Sequence, residues 1–174
     1  MEKILNIPED VNVTLDKKTI KLTGEKGELE KEFKYFHDIK IDYKDNKIIV
    51  AHESEERKVK AMAGTIVAHI RNMIKGVKEG YTYNLSIVYS HFPINVKIEG
   101  NKIIVTNFLG EKTPRNAKIV GDSEVKVNKQ EITVSGTNKE DVSQTAANME
   151  TACRLNKFDR RIFQDGIYIT KKGK

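Results

Sequence analysis

Apolar and polar residues alternate along most of this chain with the period of a β-strand, and twice that period gives way to a helical one. Val11-Asn12-Val13-Thr14-Leu15 and Thr19-Ile20-Lys21-Leu22-Thr23 place their apolar residues on every second position, as a half-buried strand requires. Glu28 to Phe36, Ile39 to Tyr43 and Lys47 to Ala51 continue the pattern, with Asp45-Asn46 as a turn. Val59, Met62, Ala63, Ile66, Val67, Ile70 and Ile74 then recur at helical spacing and form one apolar stripe. Ser54 is the expected N-cap of this helix, with Glu55 and Glu56 in its first turn, where the helix dipole favours acids. Gly76 followed by Val77 is the expected stop.

The second half repeats the design. Predicted strands run over Tyr83 to Tyr89, Asn95 to Glu99, Lys102 to Phe108, Glu124 to Asn128 and Glu131 to Ser135. A helix then opens on Thr137-x-x-Glu140, read as a capping box, and buries Val142, Ala146, Met149 and Cys153. Five landmarks recur in the same order. Pro8-x-x-Val11-x-Val13 returns as Pro93-x-x-Val96-x-Ile98, and Gly24-Glu25-Lys26 as Gly110-Glu111-Lys112. Ile39-x-Ile41 matches Val125-x-Val127, Ile48-x-Val50 matches Ile132-x-Val134, and Val59-x-x-x-Ala63 matches Val142-x-x-x-Ala146. So long a period in two copies means a tandem duplication, not a solenoid. The expected fold is α+β: two duplicated lobes, 1–80 and 81–174, each an antiparallel sheet packed against one helix. Lobes this small bury a modest fraction of their surface, so the two are expected to lean on each other.

Charge separates the lobes. The 174 residues carry a formal +6, yet residues 1–80 hold 16 basic and 15 acidic side chains, and residues 81–150 hold 8 of each. The last 24 residues hold seven basic side chains against Asp159 and Asp165, a net of +5. Three of those seven are Arg, in a chain with six Arg and 25 Lys, and the planar guanidinium suits phosphate bidentately. A basic patch at one end is the footprint of a polyanion partner. The alternative is a solubilising tail. With 38% hydrophobic residues, 11 Gly and 3 Pro, the composition excludes a disordered or collagen-like chain. No apolar run approaches the roughly 18 residues of a membrane helix, the first residues lack a signal-peptide layout, and a lone cysteine suits a reducing cytosol. A soluble, cytoplasmic protein is expected.

The usual chemistry of enzymes is missing from the pattern. His37, His52, His69 and His91 are scattered, and one Cys cannot build an ordinary zinc site. Cys153 falls on the buried helix stripe and reads as core. Gly24-Glu25-Lys26-Gly27 lacks the Gly-Lys-Ser/Thr of a phosphate loop, and neither Gly-x-Gly-x-x-Gly nor a Gly-x-Ser-x-Gly elbow occurs. No enzyme, metal or cofactor is expected.

Three segments carry a resemblance. Met62-Ala63-Gly64-Thr65 with Asn72-Met73-Ile74-Lys75-Gly76-Val77-x-x-Gly80-Tyr81 resembles the helix end and inter-lobe turn of large-subunit ribosomal protein six. Val105-Thr106-Asn107-Phe108-Leu109-Gly110-Glu111-Lys112 is similar to that family's second-lobe strand and loop. The tail, Gln144 … Cys153-Arg154 … Asp159-Arg160-Arg161-x-Phe163-x-Asp165-Gly166-Ile167-Tyr168, resembles the archaeal and eukaryotic form of its signature. The resemblance implies a structural constituent of the large ribosomal subunit. It would bind large-subunit rRNA near the sarcin–ricin loop and the translation-factor site through its second lobe and tail. The first lobe would face outward, towards neighbouring ribosomal proteins and translation GTPases. Neither a membrane nor self-assembly is part of that role.

Duplex RNA is read by shape, through phosphates and 2′-hydroxyls across the minor groove. Arg154, Lys157, Arg160, Arg161, Lys171 and Lys172 are the expected phosphate contacts, with Lys112 and Arg115 of the second-lobe loop as secondary candidates. Arg160 and Arg161 in an extended segment would point to opposite sides, one of them free to pair with Asp159 or Asp165. Asp165-Gly166 reads as a turn dipeptide, so Asp165 is expected to shape the loop. Phe163 and Tyr168 could stack on an unpaired base, but aromatic residues at strand spacing near a sheet are more often core. The second reading of the chain is a protein-interaction module with a solubilising tail. An enzyme acting on an anionic substrate is a distant third.

Overall fold

The computed structural model describes residues 2–16, 19–33, 39–44, 46–52, 54, 56–155, 158–159 and 161–173. It divides into two compact units, Met1–Gly80 and Tyr81–Lys174. Lys34, Tyr35, Phe36, Asp45 and Glu55 of the predicted elements, and His37 between two of them, lie outside the described residues.

The first unit runs β1 (Glu2–Asn6), β2 (Asn12–Asp16), β3 (Thr19–Gly24), β4 (Gly27–Glu32), β5 (Ile39–Lys44), β6 (Lys47–His52) and α1 (Arg57–Lys78). Two antiparallel three-stranded sheets result, β1-β6-β5 and β2-β3-β4. Helix α1 packs on strands of both. The period of two does the work in the sheets: Ile20 and Leu22 of β3, and Ile48 and Val50 of β6, are wholly buried while their neighbours on the strand are not. Ala63, Ile66, Ile70, Met73, Ile74 and Val77 of α1 close this core from the other side. Each fully buried aliphatic side chain here contributes about 1.5–3 kcal/mol. Where β3 turns into β4, a side chain at Gly24 would sit 2.7 Å from the Val77 carbonyl oxygen, so glycine lets the turn touch the helix end. The Lys26 N–H then donates to that same carbonyl at 2.9 Å.

The second unit repeats the path with β7 (Tyr81–Val88), β8 (Asn95–Glu99), β9 (Lys102–Thr106), a 3-10 turn (Phe108–Gly110), β10 (Arg115–Lys118), β11 (Glu124–Asn128), β12 (Glu131–Gly136) and α2 (Lys139–Ala152). It then adds β13 (Gly166–Lys171). Its sheets are β8-β9-β10 and β11-β12-β7-β13, so β7 to β12 and α2 follow the order and pairing of β1 to β6 and α1. The α+β reading of two duplicated lobes describes the chain, but two of the five sequence landmarks are out of register by two residues: Val13 faces Leu22 as Val96 faces Val105, and Ile41 faces Val50 as Val125 faces Val134. The edge strand β13, antiparallel to β7, has no counterpart among the described residues of the first unit.

Four local expectations need correction. Helix α1 has Glu56, not Ser54, as N-cap, and no side chain caps it. Ser54 Oγ instead accepts the Glu56 N–H at 3.2 Å, just ahead of the helix. Gly76 does not stop α1: it is a buried position inside the helix, and the chain leaves helical geometry at Gly80, with φ of 76°. At α2 the cap is Asn138 rather than Thr137, its side-chain oxygen accepting the Glu140 N–H at 3.0 Å while its amide donates to Asp141 Oδ2 at 2.9 Å. Asn138→Ala is therefore expected to destabilise the protein by about 1 kcal/mol, measurable as a lowered denaturant midpoint, with Thr137→Ala costing much less. The fourth correction is at Lys102 to Phe108, where the strand ends at Thr106 and Phe108 enters the 3-10 turn, wholly buried.

Candidate nucleic-acid interface

Four of the candidate cations, Arg154, Arg161, Lys171 and Lys172, lie in β13 or flank it along the chain. Helix α2 ends at Ala152, Cys153 follows as its buried C-cap, and Arg154 then stands exposed. Burial pushes the Cys153 thiol up to about 11, although the nearby Arg115 charge acts in the opposite direction. This is an inert core group, as its place on the helix stripe suggested. Arg154 lines a cavity of about 240 Å³ with Glu150, Ile167 and Tyr168, so the helix end and the start of β13 share one surface. Lys171 and Lys172 are exposed at the other end of the strand, where a bulge separates Ile169 from Lys171 and Thr170 Oγ1 donates to the Asn84 carbonyl. Arg161 is exposed in the connection between α2 and β13. Lys157 and Arg160 lie outside the described residues.

That connection is not extended at Arg161. Asp159 organises a turn there: Oδ1 accepts the Arg161 N–H at 2.9 Å, and its carbonyl accepts the N–H groups of Ile162 and Phe163 at 3.1 and 2.9 Å. Asp159 thus spends itself on backbone donors, while the side taken by Arg160 lies outside the described residues.

Asp165 is 1% exposed. Its carboxylate accepts from the Ser90 N–H (3.2 Å), Ser90 Oγ (3.1 Å), the His91 N–H (3.2 Å) and His91 Nδ1 (2.9 Å). Burial alone would raise its pKa, but the hydrogen bonds from His91 and Ser90 outweigh that and hold it below the ordinary carboxylate range. Asp165 thus shapes the loop as expected, but as a buried acceptor instead of a turn residue, since Gly166 already pairs with Val88 as the first residue of β13. Phe163 packs against the lobe's core, with the His91 ring stacked on it at 4.7 Å. Tyr168 departs from the core reading: it is 41% exposed, and its hydroxyl donates to the Gln164 carbonyl at 3.1 Å.

Lys112 and Arg115 part company. Lys112 is exposed. Arg115 directs Nε and Nη2 at the two oxygens of Glu111, 2.7 and 2.6 Å, and Nη1 at the carbonyls of Ala152 and Arg154, 3.0 and 3.2 Å. Its guanidinium also lies 4.2 Å from the centre of the Phe108 ring. The hydrogen bond from Arg115 depresses the Glu111 pKa, and the same bond raises that of Arg115. Four of the five N–H groups of this side chain are committed within the lobe, where they also neutralise the negative end of α2. Its geometry is that of a brace between the β9–β10 loop and the start of the tail, not of a free phosphate ligand.

Among the described residues no three His, Cys, Asp or Glu side chains come together to hold a metal. No described helix is long and apolar enough to cross a membrane.

The chain matches the family model for ribosomal protein L6 in two segments, residues 7–80 and 92–166, one in each unit. It is 48% identical to the large ribosomal subunit protein uL6 of Methanosarcina mazei over 170 residues, 98% of this chain and 96% of that one. Identity to the uL6 protein of Methanothrix thermoacetophila is 48% over 168 residues, covering 97% and 95%. To that of Archaeoglobus fulgidus it is 47% over 176 residues, covering 98% and 89%.

Proposed function

We propose that this chain, which belongs to the ribosomal protein L6 family, is anchored on large-subunit rRNA through the edge strand β13 and the segment leading into it. The family is structural and not enzymatic, so the role is one of binding within the cytoplasmic ribosome. One observation carries the reading. The last 24 residues hold seven cations and two acids, and both acids are spent internally, Asp165 on Ser90 and His91 and Asp159 on its own turn. Arg154, Arg161, Lys171 and Lys172 are exposed and make no ion pair among the described residues. Their field is left for phosphates. Lys112 extends the same footprint, with Lys157 and Arg160 adding to it by sequence position, and Arg115 serves by holding the loop and the helix end in place. Phosphate and minor-groove contacts near the sarcin–ricin loop would leave the near-neutral first lobe towards neighbouring proteins and translation factors.

The test is a salt series with the full chain. Removing the tail would strip Leu155 and Ile167 from the core and confuse binding with folding. If five to seven phosphates are neutralised, log K should fall with log salt at a slope of roughly −4 to −6 on an rRNA fragment containing the sarcin–ricin loop, by analogy with duplex DNA. Tighter binding to that fragment than to an unrelated duplex RNA is expected. A flat slope would overturn the reading in favour of a protein-interaction module.

A further inference from the structure

The tail carries an ordered aromatic column whose outer end is open. His91 stacks on Phe163 with ring centroids 4.7 Å apart and planes 26° apart, and Phe158 lies against Phe163 at 4.8 Å and 51°. Asp165 pins the column by accepting both the backbone N–H and Nδ1 of His91. Phe163 is covered by the other two rings and by the core, which leaves it no free face. Phe158, at the end, is 46% exposed. Beside it the Asp159 turn puts Ile162 into solvent, 65% exposed, next to the exposed Arg161.

An immobilised ring left in water within a cationic segment has two candidate occupants, an apolar protein surface or a nucleobase. Charge decides between them. The segment's two acids accept hydrogen bonds within their own lobe, while Arg154 and Arg161 make no ion pair among the described residues, so the surface attracts a polyanion more than an ordinary mixed-charge partner. An unpaired base offers a π face and a phosphate together. Duplex RNA keeps its base faces stacked inside and could not use the ring at all. We propose that Phe158 is a stacking platform for one unpaired base, so that the RNA meeting this part of the tail is a loop or bulge and not continuous duplex. His91 and Phe163 are positioning residues behind it. The proposal rests on the rRNA-binding reading above and deepens it.

The chain contains no Trp, so Phe158→Trp creates a single fluorescent reporter at the platform. Full-length wild type, Phe158→Leu and Phe158→Trp would be titrated with the same rRNA fragment across salt. Stacking predicts that the Leu variant loses roughly 5- to 150-fold in affinity at every salt concentration with an unchanged slope, since the phosphate contacts remain. The Trp variant should bind within a few-fold of wild type, its emission quenched by RNA. A Leu variant that binds like wild type, a Leu variant whose slope flattens, or a Trp variant that RNA does not quench would each overturn the platform. A flat slope in the wild type would instead overturn the RNA reading on which the platform stands.

Discussion

Asp165→Ala is expected to destabilise the second lobe by about 2–3 kcal/mol, the largest effect of any single polar substitution in the tail. The carboxylate is buried and receives four donors from Ser90 and His91. Deleting it leaves those donors without their acceptor, and a buried unsatisfied group costs more than the net worth of its hydrogen bond. Asp165→Asn should fare little better, because an amide turns two N–H groups towards groups that already donate. The pH dependence fixes the mechanism. The folded carboxyl sits below its ordinary value, so its contribution is fully present above the unfolded pKa of about 4 and is lost as pH falls through the folded one. Denaturant unfolding of wild type and Asp165→Ala should therefore differ most near neutral pH and converge in acid. A gap that persists undiminished at acid pH would show that Asp165 acts through packing and not through its charge. RNA binding should weaken as well, because the same bonds hold the aromatic column and the start of β13.

What could be read in advance follows from the range of the forces involved. Strands with two or more inward residues are legible as alternation: Thr19-Ile20-Lys21-Leu22-Thr23 lies within β3, and Glu124 to Asn128 coincides with β11, while Asn95 to Glu99 coincides with β8 although Val96 alone is half-buried there and Ile98 is 40% exposed. The strands that escaped lack that signal. In β1 Ile4 is 60% exposed, and β10 has Ala117 as its single buried residue. In β13 the inward pair Ile167 and Ile169 is cut short by the bulge before Lys171, where the strand runs into the cations Lys171 and Lys172. Both helices are legible, but their ends are not: Gly76 lies inside α1, and the N-caps are Glu56 and Asn138. Ser54 against Glu56 and Thr137 against Asn138 is a choice among adjacent polar residues that the local backbone angles decide, not the residue types alone.

The site divides in the same way. Which cations cluster near the C-terminus is a property of the chain and was legible. Which of them are free is a property of the fold. Arg115 looked like Lys112 in an exposed loop, yet its acceptors include carbonyls 37 and 39 residues away. Asp165 looked like a turn residue, yet its partners lie 74 and 75 residues back. Phe158 carried no local signal of stacking, since the ring it leans on is itself held by His91.

Reversing Arg154 and Arg161 together to Glu should weaken binding of the full chain to rRNA by at least about 100-fold at 0.1 M salt and flatten the log–log slope by about two. Each phosphate contact contributes close to one unit of slope, which near 0.1 M is roughly a factor of ten in affinity. Both side chains are exposed, so neither reversal breaks a described ion pair, and the thermal midpoint should stay near that of wild type. Lys17 and Lys18 of the first lobe, which lie outside the described residues, provide the control. Reversing them changes the total charge of the chain by the same amount. If affinity follows total charge, the two double variants will lose equally, and the basic end is a solubilising feature with no footprint of its own. A large loss confined to Arg154 and Arg161 separates the duplicated lobes by partner, because the added strand β13 and its flanks then account for the RNA contact that the first lobe, built on the same six strands and helix, does not make.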